Sequence, residues 1–303
     1  MFAVVSIHNQ RTYLSNISNN DFIEIVVEER VNELKQEISL LRDQIELLVK
    51  SQQRDLTGHN INSTNQENRK QLTNDEYLWN GEEVYLQTAR SFNPITDKVM
   101  KPNGNGHTYN IMYGRFLLPY YHQHPQMKML EIGLGCDMKH GPGASTTLYK
   151  KLFPQAELWE AEYDEECVKN SRKESLVGFH VLTGDQGDVN VLDRWIEESG
   201  GDFDVIIDDG GHENCQIWTS FLKLWDTVKP GGLYFIEDMQ VAKLAKWRRA
   251  ESPLCSANTT VPDNLKIIMN DLIYRREDDH YEFSSDIKFI FCQSEACVLG
   301  KNA

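Results

Sequence analysis

The chain lacks what a nucleic-acid binder or a membrane protein would need. Basic residues are in the minority, with 31 Lys and Arg against 46 Asp and Glu, a formal net charge of -15. A protein that grips a phosphate backbone usually carries the opposite balance, so no nucleic-acid partner is expected. No apolar run approaches the ~18–20 residues that span a bilayer, and no membrane association is expected. The opening Met-Phe-Ala-Val-Val-Ser is too short for the core of a secretory signal, and no basic residues precede it. The six cysteines, at 136, 167, 215, 255, 292 and 297, include no C-x-x-C pair. Their scatter predicts reduced thiols in a cytoplasmic setting. Hydrophobic content of 40% and charged content of 25% are ordinary for a globular protein, and 303 residues suffice for one large domain with additions.

Composition divides the chain into four stretches. Residues 1–50 contain a heptad pattern, over about 22–50. Val31, Ile38 and Ile45 fall at position a, and Leu34, Leu41 and Leu48 at position d. Branched residues at a with leucine at d favour a parallel two-stranded coil. A homodimer or higher oligomer through this helix is therefore expected. Residues 51–75 are rich in Asn, Gln, Ser and Thr and nearly free of apolar residues, the composition of a disordered linker. Residues 76–126 read as lead-in helices, one over 82–92 and an aromatic-rich one over 109–121.

From residue 127 to 303, strand and helix patterns alternate. Strands are predicted at 128–133, 157–163, 178–183, 203–207 and 232–236, each followed by a helical stretch. Two further helices are predicted at 241–250 and 263–276. The apolar runs 287–292 and 296–299 are separated by only Gln293-Ser-Glu295, short enough for a hairpin. The fold class expected is α/β: a Rossmann-like sheet of seven strands, mostly parallel with an antiparallel C-terminal pair and helices on both faces.

Ligands of such sheets lie beyond the carboxyl ends of the strands, so the polar residues there are the candidates. The first strand ends in Glu131-Ile-Gly133-Leu-Gly135, a turn whose glycines let backbone approach a ligand. Glu162 at the end of the second strand suits a ribose diol, because a carboxylate accepts from two hydroxyls. Asp185 and Gln186 follow the third strand and are placed to receive an adenine amine. Asp208 at the end of the fourth, opposite in direction to Asp209, is expected to face the cofactor, where its charge would suit an amine. A dinucleotide fingerprint wants a third glycine where Met138 stands. The acidic start of the turn, Glu131-x-Gly-x-Gly135, suits S-adenosylmethionine better than NAD.

Five pieces in order carry a resemblance. They are Thr96-Asp-Lys98 with His107-x-Tyr109, Leu130-Glu-Ile-Gly-Leu-Gly135, Gly184-Asp-Gln186, Ile207-Asp-Asp-Gly-Gly-His212, and Pro230-Gly-Gly-Leu-Tyr-Phe-Ile-Glu-Asp238. Over residues 96–301 the chain resembles class I S-adenosylmethionine-dependent methyltransferases, and among them the metal-dependent macrolide sugar O-methyltransferases of the mycinamicin type. Gly211 stands where that pattern usually has Ser. The resemblance implies that Asp209, Glu237 and Asp238 bind Mg2+, that His212 is the general base, and that Thr96, Lys98 and Tyr109 close over the cofactor. Carboxylates leaving two neighbouring strands, roughly 4.8 Å apart, would repel without a hard cation between them.

The expected activity is methyl transfer from S-adenosylmethionine, with Mg2+ assistance, to a hydroxyl of a sugar or glycosylated small molecule. The alternative is a coiled-coil adaptor whose methyltransferase-like domain binds cofactor without turnover.

Overall fold

A computed structural model of the chain describes residues 74–303 except 140, 172, 248–251, 257 and 275–279. The heptad helix at 22–50 and nearly all of the linker lie outside the described residues.

The described chain opens with helix α1 (Asn74–Arg90). A second helical stretch begins as α2 (Asn110–Met112), passes through a π-helical turn (Tyr113–Leu117) and continues as α3 (Leu118–Gln123). Then come β1 (Lys128–Ile132), α4 (Ala144–Leu152), β2 (Glu157–Glu162), α5 (Glu165–Ser171), β3 (His180–Thr183) and α6 (Val189–Ser199). They are followed by β4 (Phe203–Asp208), α7 (Asn214–Leu224), β5 (Val228–Ile236), α8 (Val261–Tyr274), β6 (Ile287–Cys292) and β7 (Cys297–Lys301).

Seven strands form one sheet in the order β3-β2-β1-β4-β5-β7-β6. The first five run parallel, and β7 runs antiparallel to both β5 and β6. The expected seven-stranded Rossmann-like sheet is therefore present. The chain winds outward from β1 through β2 to β3, then returns to β4 on the other side. That reversal opens a crevice between the carboxyl ends of β1 and β4, where such sheets place ligands.

Helices on both faces explain why the central strands are buried; β4 is buried at all six positions. Side-chain alternation sorts the core into two layers. Leu130, Ile206, Tyr234 and Ile236 join Trp195 of α6 and Phe221 of α7 on one side. Met129, Ile207 and Phe235 join Tyr85, Tyr113 and Tyr149 on the other.

Over the described part of the helix predicted at 241–250, residues 241–247, two short 3-10 turns stand instead, Met239–Val241 and Ala245–Trp247. Asn214 of α7 is the cause that the geometry offers. Its amide donates to the Ala242 carbonyl at 2.7 Å and to the Trp247 carbonyl at 3.2 Å, pinning the segment in a non-helical course.

The thiol expectation is overturned. All six cysteines are paired, as Cys136–Cys167, Cys215–Cys255 and Cys292–Cys297. Pairing depends on tertiary proximity, which scattered spacing conceals. The cytoplasmic expectation, which rested on reduced thiols, loses its support. Among the described residues no helix is long and apolar enough to cross a membrane. Under native conditions without reductant, no cysteine should react with an alkylating agent; mass spectrometry after reduction should then show six modified thiols.

Candidate active site

The site grows from the exit of β1. Gly133 adopts φ 111°, a left-handed value that L side chains rarely take. A Cβ there would lie 2.1 Å from the Asp209 carbonyl oxygen. Only glycine lets the loops leaving β1 and β4 pass back to back. The Gly133 amide donates to the Ala161 carbonyl and the Asp209 amide to the Ile132 carbonyl, at 2.8 and 2.9 Å. The loop closes where the Gly143 amide donates to the Leu134 carbonyl, at 3.0 Å, and α4 begins directly after. Its first residues, Ala144 and Ser145, line the same crevice, and a helix N-terminus favours anionic groups.

The crevice is a cavity of about 580 Å³. Thr96, Lys98, Gly133, Gly135, Glu162, Asp185, Gln186, Asp209, His212 and Asp238 all contribute to its wall. Glu162 is oriented by the backbone: its two oxygens accept from the Leu134 and Asp164 amides, both at 3.0 Å. Asp185 accepts from the Gly187 amide at 2.7 Å and from the Gln216 amide group at 3.0 Å.

Four predicted residues do other work than expected. Asp208 is absent from the cavity wall and buried, accepting from Gln186, Ser220 and Tyr234. It cannot meet a methionine amine, because the end of β4 turns its side chain into the core. Gln186 touches the cavity, but both ends of its amide are committed. Its nitrogen donates to Asp208 and Ser220, and its oxygen accepts from the Gly211 amide at 2.7 Å. It is a strut under the Asp-Asp-Gly-Gly-His loop rather than an adenine contact. Glu131 is fully buried beneath the glycine turn, accepting from Ser145 at 2.7 Å and Tyr149 at 3.2 Å. Tyr109 lies behind the wall and donates to Asp238 at 2.6 Å.

The acidic cluster is split by an ammonium group. Lys98, with only 1% of its surface exposed, places Nζ 2.6 Å from Asp209, 2.7 Å from Glu237 and 3.1 Å from Glu131. The other Glu237 oxygen accepts from the Tyr113 hydroxyl. Burial alone would lower the Lys98 pKa, but the three carboxylates and Tyr149 outweigh it and hold the ammonium charged. Burial pushes the Glu237 carboxyl up, and Lys98 pulls it back only in part. Glu237 thus has both oxygens occupied and no opening to the cavity, contrary to the ligand set expected for it.

What converges instead is Asp209, His212 and Asp238, which offer one donor atom each within 4.8 Å of one another. His212 Nε2 lies 3.2 Å from Asp238 Oδ2, and its ring meets the edge of Trp247 at 5.6 Å. Burial pushes the Asp238 carboxyl up, yet His212, the Tyr109 hydrogen bond and His107 together hold it below the usual range. Two carboxylates and an imidazole at this spacing can take a divalent cation, with the carboxylates the better partners for Mg2+.

Sequence reasoning named His107 in a motif without giving it a role, and missed Tyr113, Glu295 and Trp247. Tyr113 looked like helix packing, and Glu295 sits in a hairpin with no signal beyond its length.

No family model matches the chain. It is 38% identical over 138 residues to mycinamicin VI 2''-O-methyltransferase of Micromonospora griseorubida, covering 45% of this chain and 32% of that protein. It is 31% identical over 153 residues to demethylmacrocin O-methyltransferase of Streptomyces fradiae, covering 50% of this chain and 36% of that one. The chain thus spans about a third of the length of these curated relatives. Among solved structures it is similar to the methyltransferase MycE of the mycinamycin biosynthetic pathway in complex with Mg, SAH and mycinamycin VI. The TM-score is 0.58 at 27% identity, covering 72% of this chain and 53% of that one.

Replacing Lys98 with Met should leave Glu131, Asp209 and Glu237 without their counter-charge. Breaking a buried ion pair from one side costs about 3–5 kcal/mol. Urea unfolding of Lys98→Met should show a loss of that order; an unchanged midpoint would mean the ammonium is not structural. Fold and likeness point the same way: the chain is similar to class I S-adenosylmethionine-dependent methyltransferases, and among them to the macrolide sugar O-methyltransferases of the mycinamicin type.

Proposed function

We propose that the chain is an S-adenosylmethionine-dependent O-methyltransferase that acts on a hydroxyl of a sugar or glycosylated small molecule with the help of Mg2+. One observation carries the reading. The imidazole of His212 and the carboxylates of Asp209 and Asp238 meet at one wall of a cavity whose other wall is the glycine turn. MycE, which has been solved with Mg and SAH, supports the same cofactors.

In this reading the glycine turn and Glu162 hold the cofactor, the carboxylate accepting from ribose hydroxyls while the turn lets backbone approach it. Asp209 and Asp238 would hold Mg2+. When bound, that ion supplies Lewis acidity that makes a nearby hydroxyl more acidic. His212 accepts the hydroxyl proton, and the Asp238 carboxylate, 3.2 Å from Nε2, stabilises the imidazolium that forms. Holding acceptor and donor together in one cavity contributes the orientation that methyl transfer requires. Lys98 keeps Glu237 and Glu131 from adding further negative charge to the wall.

His212→Ala should lower kcat by about 10²–10⁴-fold, the usual contribution of a general base. The assay is methyl transfer to mycinamicin VI or a rhamnosyl glycoside, with SAH affinity followed by calorimetry. SAH binding should be unchanged, and full turnover in the variant would remove His212 from the mechanism.

Burial pushes the Asp209 carboxyl up to about 6, against the pull of Lys98. Proton and divalent cation compete for its oxygens, so affinity should rise as the proton leaves. Mn2+ should bind about tenfold more weakly at pH 5 than at pH 7, because the carboxylate is mostly protonated one unit below its pKa. A flat profile in a Mn2+ titration would take Asp209 out of the cation site.

A further inference from the structure

Asp238 is held from two sides. His212 approaches one oxygen from the cavity. On the other side His107 Nε2 lies 3.6 Å from Oδ1, the oxygen that also accepts from Tyr109. The His107 ring stacks on Tyr109 with centroids 4.7 Å apart and planes 10° from parallel. Its far nitrogen, Nδ1, donates to Glu295 at 2.6 Å. Its backbone amide donates to the Asp97 carbonyl at 2.7 Å, tying it to the Thr96–Lys98 segment.

Glu295 comes from the β6–β7 hairpin, the part of the sheet farthest from the chemistry in sequence. It sits at φ 71°, where glycine is the ordinary choice and a glutamate side chain costs stability. The hairpin is nevertheless anchored at several points. Its carbonyl at Glu295 accepts from the Met239 amide at 2.8 Å, one residue beyond Asp238. The neighbouring Gln293 accepts from the Met112 amide at 3.0 Å and donates to the Thr108 carbonyl at 3.0 Å. The Cys292–Cys297 disulfide closes the same hairpin. Asp238 too is left-handed, at φ 56°. Two adjacent backbones in a disfavoured conformation face each other across one imidazole.

We propose that Glu295 is a positioning residue: it holds the His107 ring that stacks on Tyr109, and so steadies the Tyr109 hydroxyl that fixes the Asp238 carboxylate facing His212 and the cation site; the C-terminal hairpin thereby serves the active site. The inference rests on the functional reading above. An outer-shell carboxylate that orients an imidazole sets where the next group's oxygens point. Here the imidazole steadies Tyr109, and through it a carboxylate rather than a metal. The αL backbone at Glu295 is retained because the side chain it carries reaches Nδ1 of His107.

Glu295→Gly removes the carboxylate and relieves the backbone, so a structural role alone predicts a protein at least as stable. The expected result is unchanged or raised thermal stability and unchanged SAH affinity. Mn2+ affinity should nonetheless fall by about 10-fold or more, the size usual for outer-shell partners, and kcat should fall with it. Glu295→Gln, whose amide oxygen can still accept from Nδ1, should recover most of the Mn2+ affinity. NMR should show the low-field His107 Nδ1–H resonance in the wild type and the Gln variant and not in the Gly variant. Wild-type Mn2+ affinity in Glu295→Gly would overturn the proposal. So would a fall in Mn2+ affinity that tracks an equal loss of SAH binding and of thermal stability. A wild-type chain that binds no Mn2+ would sink the cation reading itself, and this inference with it.

Discussion

One ammonium group settles the charge balance at the carboxyl edge of the sheet. Glu131 lies near the end of β1, Asp209 follows β4 and Glu237 follows β5, so parallel packing brings three acids to one place. At strand spacing, three unscreened carboxylates in a water-poor setting would repel one another and take up protons. Lys98, reaching in from the loop after α1, touches all three. Tyr113 and Tyr149 complete their hydrogen bonds from the covering helices. Everything nearer the cavity is built on this buried layer.

The layer divides the acids by role. Those in reach of Lys98 and away from the cavity, Glu131 and Glu237, keep the strand ends and the covering helices in register. Asp209 belongs to both worlds, with one oxygen toward Lys98 and its side chain partly exposed to the cavity. Asp238, one residue beyond Glu237, escapes the buried layer because its left-handed backbone turns it outward to Tyr109, His107 and His212. A single change in backbone conformation therefore separates a carboxylate held in the buried layer from one that faces the cavity. Glu160, opposite Glu131 on β2, is buried with neither oxygen hydrogen-bonded. Burial and the neighbouring Glu131 push its carboxyl well up.

The loop carrying His212 depends on a second buried support. Gln186, after β3, hydrogen-bonds both Asp208 and the Gly211 amide. Ser220 of α7 and Tyr234 of β5 close on Asp208 from the other side. Residues from four elements thus fix the course of the loop from Asp208 to His212. The disulfides add covalent ties around the same site: Cys136–Cys167 joins the glycine loop to α5, and Cys215–Cys255 joins the start of α7 to the turn beyond Trp247.

The sequence by itself determined the order of the strands and of all but one of the helices between them and after them, because short apolar runs and glycine turns are local signals. It also determined which loops face the crevice, since in a parallel sheet the carboxyl ends share one edge. His212, Asp209, Glu162 and the glycine turn were legible on that ground. Which acids look into the cavity was decided only by tertiary structure. Asp208 and Asp209 are adjacent, as are Glu237 and Asp238, and no local pattern says which of each pair turns inward. That choice depends on Lys98, Gln186 and Tyr113, partners tens of residues away. Cysteine pairing was undecidable for the same reason: each bond joins residues that meet only after the sheet has formed or its hairpin has closed.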